Sequence, residues 1–166
     1  MDLDIFNAKN PWRQGAVPDA PAIERSSLAP LVAALGDPAV TLLLGARAAG
    51  KTTLLLHVIR EAIGSRLAAP QDVFYFDLDT MACGDVLASN RSLLDFVGTS
   101  QEPRIVVIDE AQRLPNPGLL LKSVHDLHLP IKLLATGSSS LELRSRIRES
   151  LAGRRQTFHL WPLSPS

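Results

Sequence analysis

The chain has 166 residues, 46% of them apolar and 20% charged, which suits one globular domain with a core of its own. Lys plus Arg and Asp plus Glu balance at 17 each, which excludes a function built on wholesale attraction to nucleic acid or to a membrane surface. A single cysteine, Cys83, excludes an internal disulfide, and no Cys/His cluster has metal-ligand spacing, so a reducing cytoplasm is the natural compartment.

Residues 1–22 carry Pro11, Pro18 and Pro21 with little periodicity and read as an extended leader, partly pinned by Phe6 and Trp12. SLAPLVAAL, residues 27–35, suits a short helix capped by Ser26 or Ser27 and ended by Gly36-Asp37-Pro38. The apolar stretch from Leu31 to Gly50 mimics a signal peptide. It starts deep in the chain, is broken at Gly36 to Pro38, and follows acids at Asp2 and Asp4, so no targeting segment is expected. No run approaches the roughly 18 apolar residues of a membrane span.

Five short apolar runs follow: Val40–Leu44, Val73–Phe76, Ile105–Ile108, Ile131–Ala135 and the weaker Thr157–Leu160. Continuous runs, as opposed to alternating ones, are what strands buried on both faces require. Helical patterns lie between them at Thr52–Ile63, Cys83–Val97, Gly118–Leu127 and Leu141–Leu151. This alternation predicts an α/β fold with a parallel sheet and right-handed crossovers.

The first strand runs into Gly45-Ala46-Arg47-Ala48-Ala49-Gly50-Lys51-Thr52, which fits the phosphate-loop pattern G-x-x-x-x-G-K-[ST], or Walker A. Its glycines let the backbone turn tightly and approach phosphate oxygens without an obstructing Cβ. Successive amides and the positive end of the next helix complete an anion cradle. Lys51 is expected on the β- and γ-phosphates, the Thr52 hydroxyl on Mg²⁺, and Thr53 near the α-phosphate.

The third strand ends in Asp109-Glu110, a Walker B pattern. Ligands of open parallel sheets sit beyond the carboxyl ends of the strands, so Asp109 is expected to emerge beside the loop and hold the Mg²⁺ shell. Glu110, one residue on, can orient the water that attacks the γ-phosphate or take its proton. The bland alternative is a strand ending in solvated acids.

With both motifs in place the chain resembles the P-loop ATPases that carry an extra catalytic glutamate, the division containing AAA+ and RecA-like proteins. More narrowly, it looks like the bacterial and archaeal AAA-type ATPases whose core precedes a poorly characterised C-terminal domain. The stretches carrying this are LLLGARAAGKTTLLL, IVVIDEAQRLP, LLATGSSSLEL and ESLAGRRQTFHLWPLS. The resemblance implies a P-loop NTPase three-layer sandwich over residues 23–163, with strand order 5-1-4-3-2. It implies a sensor after the fourth strand, for which Thr136 and Ser138 are the candidates; a serine turn capping the next helix is the alternative. It also places Arg154 where the family carries a characteristic arginine, sensing phosphate in its own subunit or acting in a neighbour's site. Arg144, Arg146 and Arg148 read as a solvated helix face, with a nucleic-acid contact left open. His57, His125 and His128 read as structural, and Arg25 as a frame for the base. Relatives continue past the Pro-Leu-Ser at 162–164 into a helical lid and a C-terminal domain. Residues 164–166 therefore read as a truncated tail of a core lacking its lid, with weakened nucleotide affinity and turnover expected.

Three functions are compatible with the sequence. One is an ATPase core, with ATP and Mg²⁺ as cofactors, driving a partner protein or C-terminal domain and able to oligomerise on nucleotide. The second is a nucleotide-dependent switch or scaffold with little turnover. The third, a small-molecule phosphotransferase, is disfavoured by Asp109-Glu110 on a clean apolar strand. ATP is preferred to GTP because no guanine-reading Asn/Thr-Lys-x-Asp motif occurs.

Overall fold

The computed structural model describes residues 1–17, 20, 26–46, 49–138 and 141–161, with the backbone alone at 141–145. Five strands form a single parallel sheet: β1 (Val40–Gly45), β2 (Val73–Asp77), β3 (Arg104–Asp109), β4 (Ile131–Gly137) and β5 (Arg155–Leu160). Their spatial order is β2-β3-β4-β1-β5, which is the expected 5-1-4-3-2 read from the other edge. Among the described residues six α-helices accompany them: α1 (Leu3–Lys9), α2 (Leu28–Ala34), α3 (Lys51–Gly64), α4 (Asn90–Val97), α5 (Pro117–His125) and α6 (Leu141–Ser150).

The side-chain alternation of the strands explains the three layers. Val106, Ile108, Leu133 and Ala135 pack with Leu93, Leu121, Val124, Ile147 and Leu151 on the face covered by α4, α5 and α6. Ile105, Val107, Leu134 and Leu43 pack with Leu31, Leu55, Val58 and Ile59 on the face covered by α2 and α3. Both faces are thus dry, which is why the strands read as unbroken apolar runs.

Two sequence expectations are corrected here. The segment before residue 15 is not extended: Leu3–Lys9 is helical, capped by the Asp2 carboxylate on the amides of Asp4 and Ile5. A 3₁₀ turn, Pro11–Gln14, follows. This segment wraps the β2 edge of the sheet. Phe6 enters the core on one face and Trp12 the core on the other, each 2% exposed. Pinning by these two aromatics was expected; the helix was not. An edge strand presents unpaired backbone groups, and here side chains answer them. Trp12 Nε1 donates to Val73 O at 3.1 Å, and Asn10 bonds both the amide and the carbonyl of Tyr75.

The helix expected from Cys83 begins only at Asn90. Ser89 and Ser92 form a reciprocal capping box there, so the preceding residues turn without entering the helix. Cys83 is buried, and burial pushes its thiol up to about 11, which leaves it unreactive.

Gly45 closes β1 against β5. A Cβ there would stand 2.7 Å from the Leu160 carbonyl oxygen, a backbone atom that cannot rotate away. Gly45→Ala is expected to lower stability by about 1–3 kcal/mol through this overpacking. Urea unfolding checks it, and an unchanged midpoint would mean that β5 yields freely.

Candidate functional site

The candidate site lies at the carboxyl ends of the strands, where β1 ends at Gly45, ahead of Lys51 at the start of α3, and β3 ends in Asp109. Gly50 has φ 86° and ψ 27°, a left-handed conformation natural to glycine, and it precedes the first residue of α3. The turn delivers Lys51 and Thr52 to the first turn of α3, pointing back at the loop. Lys51 is 5% exposed, and its Nζ donates to the carbonyls of Gly45 and Ala46, both at 3.0 Å. Glu110 Oε1 is 3.9 Å from the same nitrogen.

Asp109 is 1% exposed and is held by three hydroxyl groups. Thr52 Oγ1 and the Tyr75 hydroxyl each donate to Oδ2 at 2.7 Å, and Thr136 Oγ1 donates to Oδ1 at 2.6 Å. Hydrogen bonds to a buried carboxylate are charge-assisted and strong, so they fix its orientation. Thr136 Oγ1 also accepts the Glu110 amide at 3.0 Å. One hydroxyl at the end of β4 therefore ties together the two acids at the end of β3.

Glu110 is a non-glycine residue in the left-handed region, φ 61° and ψ 49°. That conformation costs on the order of 1–3 kcal/mol and persists only where the surroundings over-determine it. Here the amide bond to Thr136 and a bond from Gln112 Nε2 to Glu110 Oε2 hold it. The strand's line breaks at that residue, and the carboxylate faces the Lys51 amine instead of bulk solvent.

Tyr75 is the site residue that the sequence reading missed. It lies on β2, paired in register with Val107 of β3, and is 2% exposed. Burial, followed by the charge of Asp109, pushes its phenol far above the usual tyrosine range, so it stays a protonated donor.

The predicted residues thus divide. Gly45, Ala46, Ala49, Gly50, Lys51, Thr52 and Thr53 lie in the loop and first turn of α3, with Asp109, Glu110 and Thr136 beside them. Arg47, Ala48 and Arg25 lie outside the described residues. Ser138 follows the last residue of β4 and is half-buried. Arg154 is not brought to the loop. Its carbonyl accepts the amide of Val40, at the opposite end of β1 from Gly45 and roughly 16 Å away along the strand. Its Nε bonds Asp126 Oδ1 at 2.8 Å. A phosphate contact within its own subunit is therefore corrected; the side chain belongs to the far end of the sheet. Arg146 and Arg148 are exposed, in keeping with a solvated face. His125 and His128 pair edge to face at 6.2 Å, and no metal-holding group of His, Cys, Asp or Glu occurs among the described residues.

The donor set suits a nucleotide with a hard divalent cation. A threonine hydroxyl and a carboxylate, both oxygen ligands, meet at 2.7 Å beside a buried lysine and the amino end of α3.

A family model described as an AAA domain matches residues 37–166. The chain belongs to the AAA domain family. Membership gives it a nucleotide-binding core of the ATPase type. Two curated relatives, the uncharacterized proteins Rv2008c of Mycobacterium tuberculosis and Mb2031c of Mycobacterium bovis, are each 35% identical over 137 residues. That alignment covers 82% of this chain, which spans only 28% of the length of either relative. Among solved structures, a chain of the S. cerevisiae Hsp104:casein complex in its extended conformation superposes with a TM-score of 0.62 at 18% identity. The match covers 97% of this chain and 31% of that one, and it speaks for the AAA fold alone. No helix among the described residues is long and apolar enough to cross a membrane.

Proposed function

We propose that this AAA domain binds ATP with Mg²⁺, hydrolyses it, and passes the resulting change to a partner protein or to a further domain. The observation that carries the reading is the single hydrogen-bonded set of Thr52, Asp109, Thr136 and Glu110 beside Lys51. A plain phosphate holder needs only the loop. A glutamate held one residue beyond the metal-side acid is what a water-activating site adds.

Lys51 exchanges the carbonyls of Gly45 and Ala46 for the β- and γ-phosphate oxygens, supported by the amides of residues 45 to 50 and by Thr53 nearer the α-phosphate. Thr52 and Asp109 would hold the Mg²⁺, which would supply charge neutralisation on the phosphate oxygens. Glu110 orients the attacking water through its carboxylate and accepts its proton. Thr136 keeps Glu110 aligned with Asp109, and Ser138, just past the end of the same strand, is the second sensor candidate. Arg154 and its neighbour Arg155, at the other end of the sheet, are available to an adjacent subunit in an assembly that nucleotide promotes. The place of action is the cytoplasm, which suits a lone buried thiol.

Phosphate release from ATP is the test. Mg²⁺-dependent release to water, abolished by chelation and not matched by GTP, is the expected result. Nucleotide binding without release would turn the reading into a switch. Release that requires an added acceptor would make the chain a phosphotransferase.

A further inference from the structure

Tyr75 does two things at once. Its hydroxyl donates to Asp109 Oδ2 at 2.7 Å, while its backbone amide and carbonyl are both gripped by one side chain of the N-terminal segment. Asn10 Oδ1 accepts the Tyr75 amide at 2.7 Å, and Asn10 Nδ2 donates to the Tyr75 carbonyl at 2.9 Å. The same Nδ2 donates to Phe6 O at 2.8 Å, so the grip is anchored to α1. Asn10 is fully buried, as is the Trp12 ring that packs 6.4 Å from the Tyr75 ring. Lys9 pairs with Asp77 at 3.3 Å at the carboxyl end of the same strand.

We infer that Tyr75 is a positioning residue for the metal-side carboxylate Asp109, and that the N-terminal segment sets Tyr75 through Asn10. The inference rests on the proposed role of Asp109 at Mg²⁺. The physical reason is reach. β2 is one of the two edge strands of the sheet and has a strand neighbour on one side only, β3. Left to that one ladder, its position would be less constrained than that of an inner strand, and Tyr75 carries it directly to Asp109. Asn10 stands in for a missing neighbouring strand at the β2 residue whose side chain hydrogen-bonds the acid. Outer partners of metal-ligating carboxylates fix their direction, and losing one costs about 10–100-fold in metal affinity. With the Thr52 oxygen given over to a metal, Tyr75 would be the donor left on Oδ2.

Mn²⁺ titrated into the full chain with a slowly hydrolysed ATP analogue, followed by electron paramagnetic resonance, reads this without turnover. Tyr75→Phe keeps the ring and removes the hydroxyl. It is expected to raise the Mn²⁺ dissociation constant about tenfold, with analogue affinity in EDTA within about twofold of the parent. Asn10→Ala, or Asn10→Ser where the alanine variant does not fold, is expected to weaken Mn²⁺ in the same direction. In the Tyr75→Phe background it should add little, because the route it acts through is gone. Parental Mn²⁺ affinity in Tyr75→Phe would overturn the inference, as would an equal loss of analogue affinity in EDTA. Independent, multiplying effects of the two variants would overturn the part played by Asn10. A parent chain that binds no Mn²⁺ with the analogue would overturn the proposed function itself, and this inference with it.

Discussion

Replacing Glu110 with Gln is expected to lower phosphate release at least about a hundredfold while nucleotide binding persists. The amide keeps the size of the carboxylate and can still meet the Gln112 side chain and face Lys51. What it loses is the ability to take a proton from water. The left-handed backbone at residue 110, φ 61°, is held from the Thr136 side by a bond to the Glu110 amide, which the substitution does not touch. The fold should therefore be retained, and the effect should fall on turnover alone. Steady-state phosphate release beside fluorescent-nucleotide titration separates the two. A variant that turned over like the parent would remove Glu110 from the chemistry.

Lys51→Ala is expected to act at the earlier step, weakening ATP binding about a hundredfold. Lys51 is the buried cation that the structure places against the loop. A hydrogen bond to a charged group is worth about 1.5–3 kcal/mol, and every 1.4 kcal/mol is tenfold in affinity. The variant also leaves the Gly45 and Ala46 carbonyls without the donor they have in the parent, so its melting temperature must be measured alongside. Calorimetric titration with ATP checks the affinity. Near-parental binding by a folded Lys51→Ala chain would mean that the loop amides alone hold the phosphates.

The fold was legible because its strands are dry on both faces. Val40–Leu44, Ile105–Ile108 and Ile131–Ala135 announce themselves as apolar runs, and each grew by only one or two residues in the structure. The loop and the acidic pair were legible because their chemistry is local in sequence, eight residues for one and two for the other. Tyr75 was hidden for the opposite reason. Within VFYFD it is one more aromatic in a buried strand, and only the pairing of β2 with β3 brings its hydroxyl to Asp109. The helix at Leu3–Lys9 was missed because seven residues cannot sustain a helix alone. It depends on burying Phe6 against Phe76 and Phe96, at ring distances of 5.5 and 5.2 Å, which no local pattern reports. Arg154 failed as an in-subunit candidate because a motif gives order along the chain and not direction. Its place follows from β5 running parallel to β1, which puts the start of β5 at the end of the sheet away from the loop.

The segment before residue 15 also changes how the molecule divides. It is not a tail attached to a finished domain. It supplies Phe6 and Trp12 to both halves of the core and Asn10, Trp12 and Arg13 to the backbone of residues 71–75. Through Tyr75 it lies one side chain from the acid proposed to hold the metal.

The most direct measurement is a crystal structure of the chain with a slowly hydrolysed ATP analogue and Mg²⁺. In it Lys51 Nζ is expected to have left the Gly45 and Ala46 carbonyls for the phosphates, with the metal bound by Thr52 and backed by Asp109. A nucleotide seated elsewhere, with Lys51 still on its own loop carbonyls and Thr52 still on Asp109, would contradict it.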